Sequence, residues 1–286
     1  MERLKEIATV KGFSPSALTG YIRNPMQFYY QRVLRISEVE EVEESIALNT
    51  LGTIIHGALE QLYKPYVGKF LAVHDVDSMA ALADDEVMVQ FKEVYKEGEI
   101  KKGRNLLAFE VAKRNVHNFL KQEKKQLNDG DAVKILSLEG DFKREFADER
   151  LLYPVIISGK IDRIEERNGR IRIIDYKTGK VEKGNLVLKT WDGLPADIKN
   201  EKIIQLLTYS FMYEPHGEGR EIEAGIISFK NMKSGFMNFC YKDGFDKSAP
   251  VQDFVDVDML SEFKTQLVSL INEILNENVP FEEKIQ

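Results

Sequence analysis

The stretch "GKIDRIEERNGRIRIIDYKTGK", residues 159–180, decides how this chain is read. Asn168-Gly169 stands between two runs of alternating residues, the strongest short-range signal for a two-residue type I′ hairpin turn. A turn there pairs Arg167 with Arg170, Ile164 with Ile173, and Asp162 with Asp175. Side chains alternate across a sheet, so Ile164, Ile173, Asp162, Asp175 and Lys177 share one face. Opposed residues have Cβ atoms ~4.5–5.5 Å apart, and like charges at that distance are destabilising. A polar hairpin face in solvent would tolerate them, but Ile164 and Ile173 on the same face argue for burial. The pairing makes sense with a positive charge in between. Mg²⁺ prefers a few carboxylates together with waters and phosphate oxygens, and Lys177 is placed to orient a water or to offset charge developing on a phosphate.

Composition narrows the classes. With 286 residues, 43% hydrophobic and 30% charged, the chain reads as a soluble globular protein able to bury a large core. No apolar run approaches the ~20 residues needed to cross a bilayer. The start, MERLKEIATVKG, has no apolar h-region, and the expected location is the cytoplasm. Cys240 is the one cysteine, which excludes an internal disulfide and any all-cysteine metal site within the chain. A net charge of −7 argues against a nucleic-acid partner on average. Locally, Lys160, Arg163, Arg167, Arg170, Arg172, Lys177, Lys180 and Lys183 form a basic stretch, while acidic charge gathers in 38–44 (EVEEVEE).

The pattern predicts the elements around the hairpin. Ser14-Pro15 starts a helix, with serine as N-cap and proline in the first turn. A second helix follows from Pro25 to about 34, then the acidic run as a linker, then a helix over 51–63. Residues 75–128 read as helical, broken near 97–105. After Asp129-Gly130-Asp131 the period changes to two, giving strands over 133–146, 151–166 and 170–179. A helix over 199–213, strands over 222–230 and 235–241, and a final helix over 257–277 complete an α/β (α+β) architecture. Its central sheet is mostly antiparallel and flanked by helices. Residues 1–286 are expected to form a single domain carrying a helical insertion at 64–130.

The ordered set His56, G-x-x-D ending at Asp162, D-Y-K at Asp175–Lys177, and Q-x-x-x-Y from Gln205 to Tyr209 resembles the PD-(D/E)xK nuclease superfamily. Its RecB-like branch, found in helicase–nuclease complexes and CRISPR-associated exonucleases, is the nearest likeness. SPSALTGYIRNPMQFYY (14–30), LGTIIHGALE (51–60) and VPFEEK (279–284) extend the likeness over most of the chain. The resemblance implies a restriction-endonuclease-like fold and metal-dependent hydrolysis of DNA phosphodiester bonds. It further implies an exonuclease in DNA repair or recombination, with a helicase subunit or domain as partner. Carried over by position, it implies that His56, Asp162, Asp175 and the Tyr176 backbone carbonyl bind Mg²⁺ or Mn²⁺. Lys177 would be the catalytic lysine, and Gln205 and Tyr209 would support the site and contact DNA. By position alone, His56 also reads as an ordinary packing residue.

One departure stands out. Many RecB-like relatives carry an iron–sulfur cluster using a cysteine just before the proline of the early helix and three near the C-terminus. Here the early position is Asn24, and Cys240 matches none of them, so no iron–sulfur cluster is expected and packing should replace its structural role. Two other readings stay open: a module that keeps the nuclease fold without cutting and serves as a DNA-binding scaffold, and a hydrolase for phosphodiesters other than DNA.

Overall fold

The structure is a computed structural model and describes residues 2–36, 48–95, 102–244, 246 and 248–284. The acidic run 38–44 lies outside the described residues, as does part of the break near 97–105.

Helix α1 spans Glu2–Glu6 and α2 spans Pro15–Arg23, where Ser14 caps the Ala17 N–H as its sequence position predicts. Asn24 caps the next helix in the same way, accepting from the Gln27 N–H. That helix differs from expectation: α3 covers only Pro25–Phe28, and Tyr29–Leu34 continue in wider π-type turns. Three longer helices follow, α4 (Leu48–Tyr63), α5 (Val73–Val94) and α6 (Gly103–Asn128).

The central sheet is built from β1 (Val133–Phe146), β2 (Val155–Arg167), β3 (Arg170–Lys177), β5 (Ile222–Ser228) and β6 (Phe236–Asn238), in the order β1-β2-β3-β5-β6. All neighbours are antiparallel except β3 and β5, which run parallel. Parallel neighbours need a long crossover, and here it contains α7 (Glu201–Tyr213). A second small sheet joins β4 (Val187–Leu188), β7 (Cys240–Lys242) and β8 (Val251–Gln252). The single strand expected over 235–241 is therefore two, one in each sheet. Fully buried Phe239 sits at the change of partner, its N–H donating to the Ala224 carbonyl. Helix α8 (Val257–Leu275) is capped by Asp256.

Helices cover both faces of the sheet. On one side α2, α7 and α8 pack on Ile164 and Ile173; on the other α4, α5 and α6 pack on Ile174 and Tyr176. Strand β3 is thus buried on both faces, which its near-continuous apolar run requires. The last described segment returns to the start of the chain. Phe281 stacks on Tyr29 and Phe28 and meets Tyr21 edge-on, while Met26 N–H donates to the Glu282 carbonyl. Among the described residues, no helix is long and apolar enough to cross a membrane.

Candidate metal centre and its cleft

The Asn168-Gly169 turn has φ values of 53° and 85°, the left-handed pair that a type I′ turn needs. Pairing then runs as the turn dictates, from Arg167↔Arg170 through Ile164↔Ile173 to Arg163↔Ile174. At the next pair the strand ladder stops. The Asp162 side chain takes over and accepts a hydrogen bond from the Tyr176 backbone N–H at 2.7 Å. One carboxylate is thereby tied to the residue that follows the other.

Asp175 is buried and held from two sides. Gln205 Nε2 donates to its Oδ1 at 3.0 Å, and Lys177 Nζ lies 2.8 Å from its Oδ2. Gln205 also donates to the Tyr209 hydroxyl at 2.8 Å, as two residues one turn apart on α7 can do. This chain approaches from the α7 layer. His56 approaches from the opposite layer on α4, its ring edge-on to Tyr176 with centroids 5.5 Å apart. Its Nδ1 lies 3.6 Å from Asp162 Oδ2 and 3.4 Å from Glu139 Oε1.

Glu139 is the residue that sequence reasoning missed. It sits on β1 opposite Asp162, between the pairs Leu138↔Arg163 and Gly140↔Ile161, in a left-handed conformation with φ 44°. A regular alternating strand over 133–146 conceals it. The available signal was Gly140, because a lone glycine inside a strand marks a bulge or a close approach. A Cβ on Gly140 would run into Ser137 Oγ and the Phe142 ring.

The electrostatics follow from burial and like charge. Burial, then the neighbouring Asp175 charge, pushes the Asp162 carboxyl up to about 7. Burial works to lower the His56 imidazole, but its bond to Glu139 and the charges of Asp162, Glu139 and Asp175 outweigh that and raise it. Burial likewise works against the charged form of Lys177, and Asp175 more than compensates, leaving the amine above its ordinary value.

The donor set fits a hard divalent cation. Among the described residues, His56, Glu139 and Asp162 each offer a ligand atom, all within 4.8 Å of one another. Octahedral coordination with bonds of ~2.1 Å puts adjacent ligand atoms ~3 Å and opposite ones ~4.2 Å apart, so spacings of 3.4 and 3.6 Å need little adjustment. Asp175 is not in this triad; its oxygens face Gln205 and Lys177, although its charge acts on Asp162 and on His56. The centre opens on a cleft of about 560 Å³ lined by Asn49, Thr53, His56, Lys177, Lys180 and Lys202 among others.

The basic stretch of the sequence is divided between surface and core: Lys160, Arg170, Lys180 and Lys183 are exposed. Arg163 and Arg167 are buried on the opposite face of β2, and Arg172 pairs with Glu223 at 2.6 Å. Two lysines of α6 pair across to α5, Lys113 with Asp84 at 2.9 Å and Lys124 with Asp77 at 2.5 Å. His74, His117 and His216 lie at the surface, away from this group, His117 bonded to Asp84.

An uncharacterized protein of Rickettsia typhi (strain ATCC VR-144 / Wilmington) is 23% identical over 190 residues, covering 62% of this chain and 20% of that protein. The chain therefore spans about a fifth of that relative's length. The profile of the PD-(D/E)XK nuclease superfamily matches residues 12–285, from the turn before α2 through the returning C-terminal segment. With that match over nearly its whole length and the mixed five-stranded sheet that the fold requires, the chain belongs to the PD-(D/E)XK nuclease superfamily.

Proposed function

We propose that this protein hydrolyses DNA phosphodiester bonds with a divalent cation, Mg²⁺ or Mn²⁺. The observation that carries the reading is the convergence of buried Asp175 with partly buried Asp162, Lys177 and His56 at the head of an open cleft. Asp162, Asp175 and His56 hold the cation, together with the Tyr176 carbonyl. The Tyr176 N–H points to the Asp162 flank, and a strand residue directs its N–H and C=O to the same flank. When bound, the cation supplies an activated water and neutralises charge on the phosphate.

Lys177, kept protonated by Asp175, orients that water or offsets the charge that develops on the phosphate. Gln205 fixes the Asp175 carboxylate, and Tyr209 fixes Gln205, so the pair on α7 preorganises the site beside the DNA strand. Lys180 and Lys202 stand along the cleft, where flanking phosphates would pass. The resemblance to the RecB-like branch supports an exonuclease acting in repair or recombination alongside a helicase.

The test is cleavage of end-labelled linear and circular DNA with Mg²⁺ or Mn²⁺. Wild type is expected to degrade linear DNA and spare circles. Asp175→Ala and Lys177→Ala should each lose on the order of 10³-fold in rate with unchanged far-UV circular dichroism. Undiminished cleavage by both variants ends the assignment.

A further inference from the structure

We propose that Glu139 is a further ligand of the divalent cation, beside Asp162, Asp175 and His56, so that the ion sits between α4 and the β1–β2 pair. The inference rests on the metal-dependent reading above and assigns a residue that the ordered motif set does not contain.

Three observations converge on Glu139. The first is distance: its Oε1 is nearer to His56 Nδ1 than Asp162 is, 3.4 against 3.6 Å, so one imidazole nitrogen faces both carboxylates. The second is the division of labour between its own oxygens. Oε2 lies 3.9 Å from Lys160 Nζ at the more exposed rim of the site, which leaves Oε1 turned inward to the triad. The third is the backbone. Glu139 takes a left-handed conformation inside a long strand, where a non-glycine residue costs energy, and Gly140 next to it has no room for a side chain. That irregularity falls opposite Asp162 and aims the carboxylate at His56.

The chemistry agrees with the geometry. Carboxylates and an imidazole nitrogen within one coordination sphere suit a hard or borderline divalent ion such as Mn²⁺. Without a cation, the Glu139 carboxylate still faces the His56 Nδ1 beside Asp162, and its charge favours the protonated ring.

The experiment is Mn²⁺ binding to the purified full chain, with no DNA present, by titration calorimetry and by electron paramagnetic resonance of free Mn²⁺. Glu139→Gln keeps the shape and removes the charge; it should weaken Mn²⁺ binding at least tenfold and shrink the Mn²⁺-induced rise in melting temperature. Glu139→Asp keeps the charge but retracts it by one methylene, and should fall between the two. Lys160→Gln should stay within threefold of wild type. The metal-free melting temperature of each variant confirms folding independently of metal. If Glu139→Gln binds Mn²⁺ within a factor of two of wild type while Asp162→Asn loses it, Glu139 is not a ligand and the nuclease reading stands. If wild type itself takes up no Mn²⁺, both the ligand assignment and the metal-dependent reading are wrong.

Discussion

Strand β2 carries two clusters of charged side chains on its opposite faces, and they are balanced in opposite ways. On the face toward α6, Arg163 and Glu165 are fully buried and Arg167 and Glu123 nearly so. Arg163 Nη2 lies 2.9 Å from Glu123 Oε2 and 2.5 Å from Glu165 Oε2. Arg167 reaches Glu165 and Glu123, each at 2.7 Å, and Asp131 at 2.8 Å. The Arg163 guanidinium also lies 4.5 Å from the Tyr63 ring centroid. Glu123, Arg163, Glu165 and Arg167 line a narrow space of about 20 Å³, room for about one water. Here the chain supplies both signs of charge and closes the cluster.

On the other face, Asp162, Asp175 and Glu139 face Lys177, His56 and the half-exposed Lys160, and the site opens on a cleft of about 560 Å³. Burial penalises the charged forms in both clusters. In the first, paired arginines hold Glu123 well below the usual carboxylate range despite that burial. In the second, the His56 charge and the Tyr176 N–H lower Asp162 by less than burial and the Asp175 charge raise it, and Asp162 rises. The contrast teaches that burial does not make the site; the missing positive charge does.

The most drastic way to break the comparison is to unbalance the closed cluster. Glu123→Gln leaves Arg163 and Arg167 short of a buried counter-charge and should cost about 3–5 kcal/mol in urea unfolding, because removing one partner strands the other. Loss of under 1 kcal/mol would mean that the network contributes little to holding α6 on the sheet.

A smaller effect sharpens the comparison through pH. Native Asp162 without metal holds its proton up to about 7, while the unfolded chain releases it near ~4. Between those values the native state binds more protons, so stability falls as pH rises. In chelator, the unfolding free energy should drop by on the order of 2 kcal/mol from pH 5 to pH 8, and Asp162→Asn should flatten the slope. Glu123 acts with the opposite sign. Its lowered value adds stability above the unfolded range of ~4.3, and that is lost as pH falls toward strong acid. Mn²⁺ must displace the Asp162 proton, so its affinity should rise over the same pH window in which metal-free stability falls.

The hairpin was legible because Asn168-Gly169 fixes one register and the alternation fixes the faces; the observed pairing follows both. His56 was readable only through its place in an ordered motif set, since nothing local distinguishes a histidine on an apolar helix face from a packing residue. Glu139 escaped because its place beside His56 and Asp162 depends on an irregular backbone, which alternation cannot express. The closed cluster escaped for a related reason. Arg163, Glu165 and Arg167 alternate like a polar outer face, and only the covering helix α6, which brings Glu123, turns that face inward. Sequence periodicity reports which residues share a face. It does not report what the rest of the chain lays over it.

On the proposed reading a divalent cation completes the open cluster. Crystals grown with Mn²⁺ and measured at the manganese absorption edge test it directly. The expected result is an anomalous peak about 2.0–2.4 Å from oxygens of Asp162 and Asp175 and from a nitrogen of His56. A site that stays empty at millimolar Mn²⁺, or a peak found only at surface carboxylates, would contradict it.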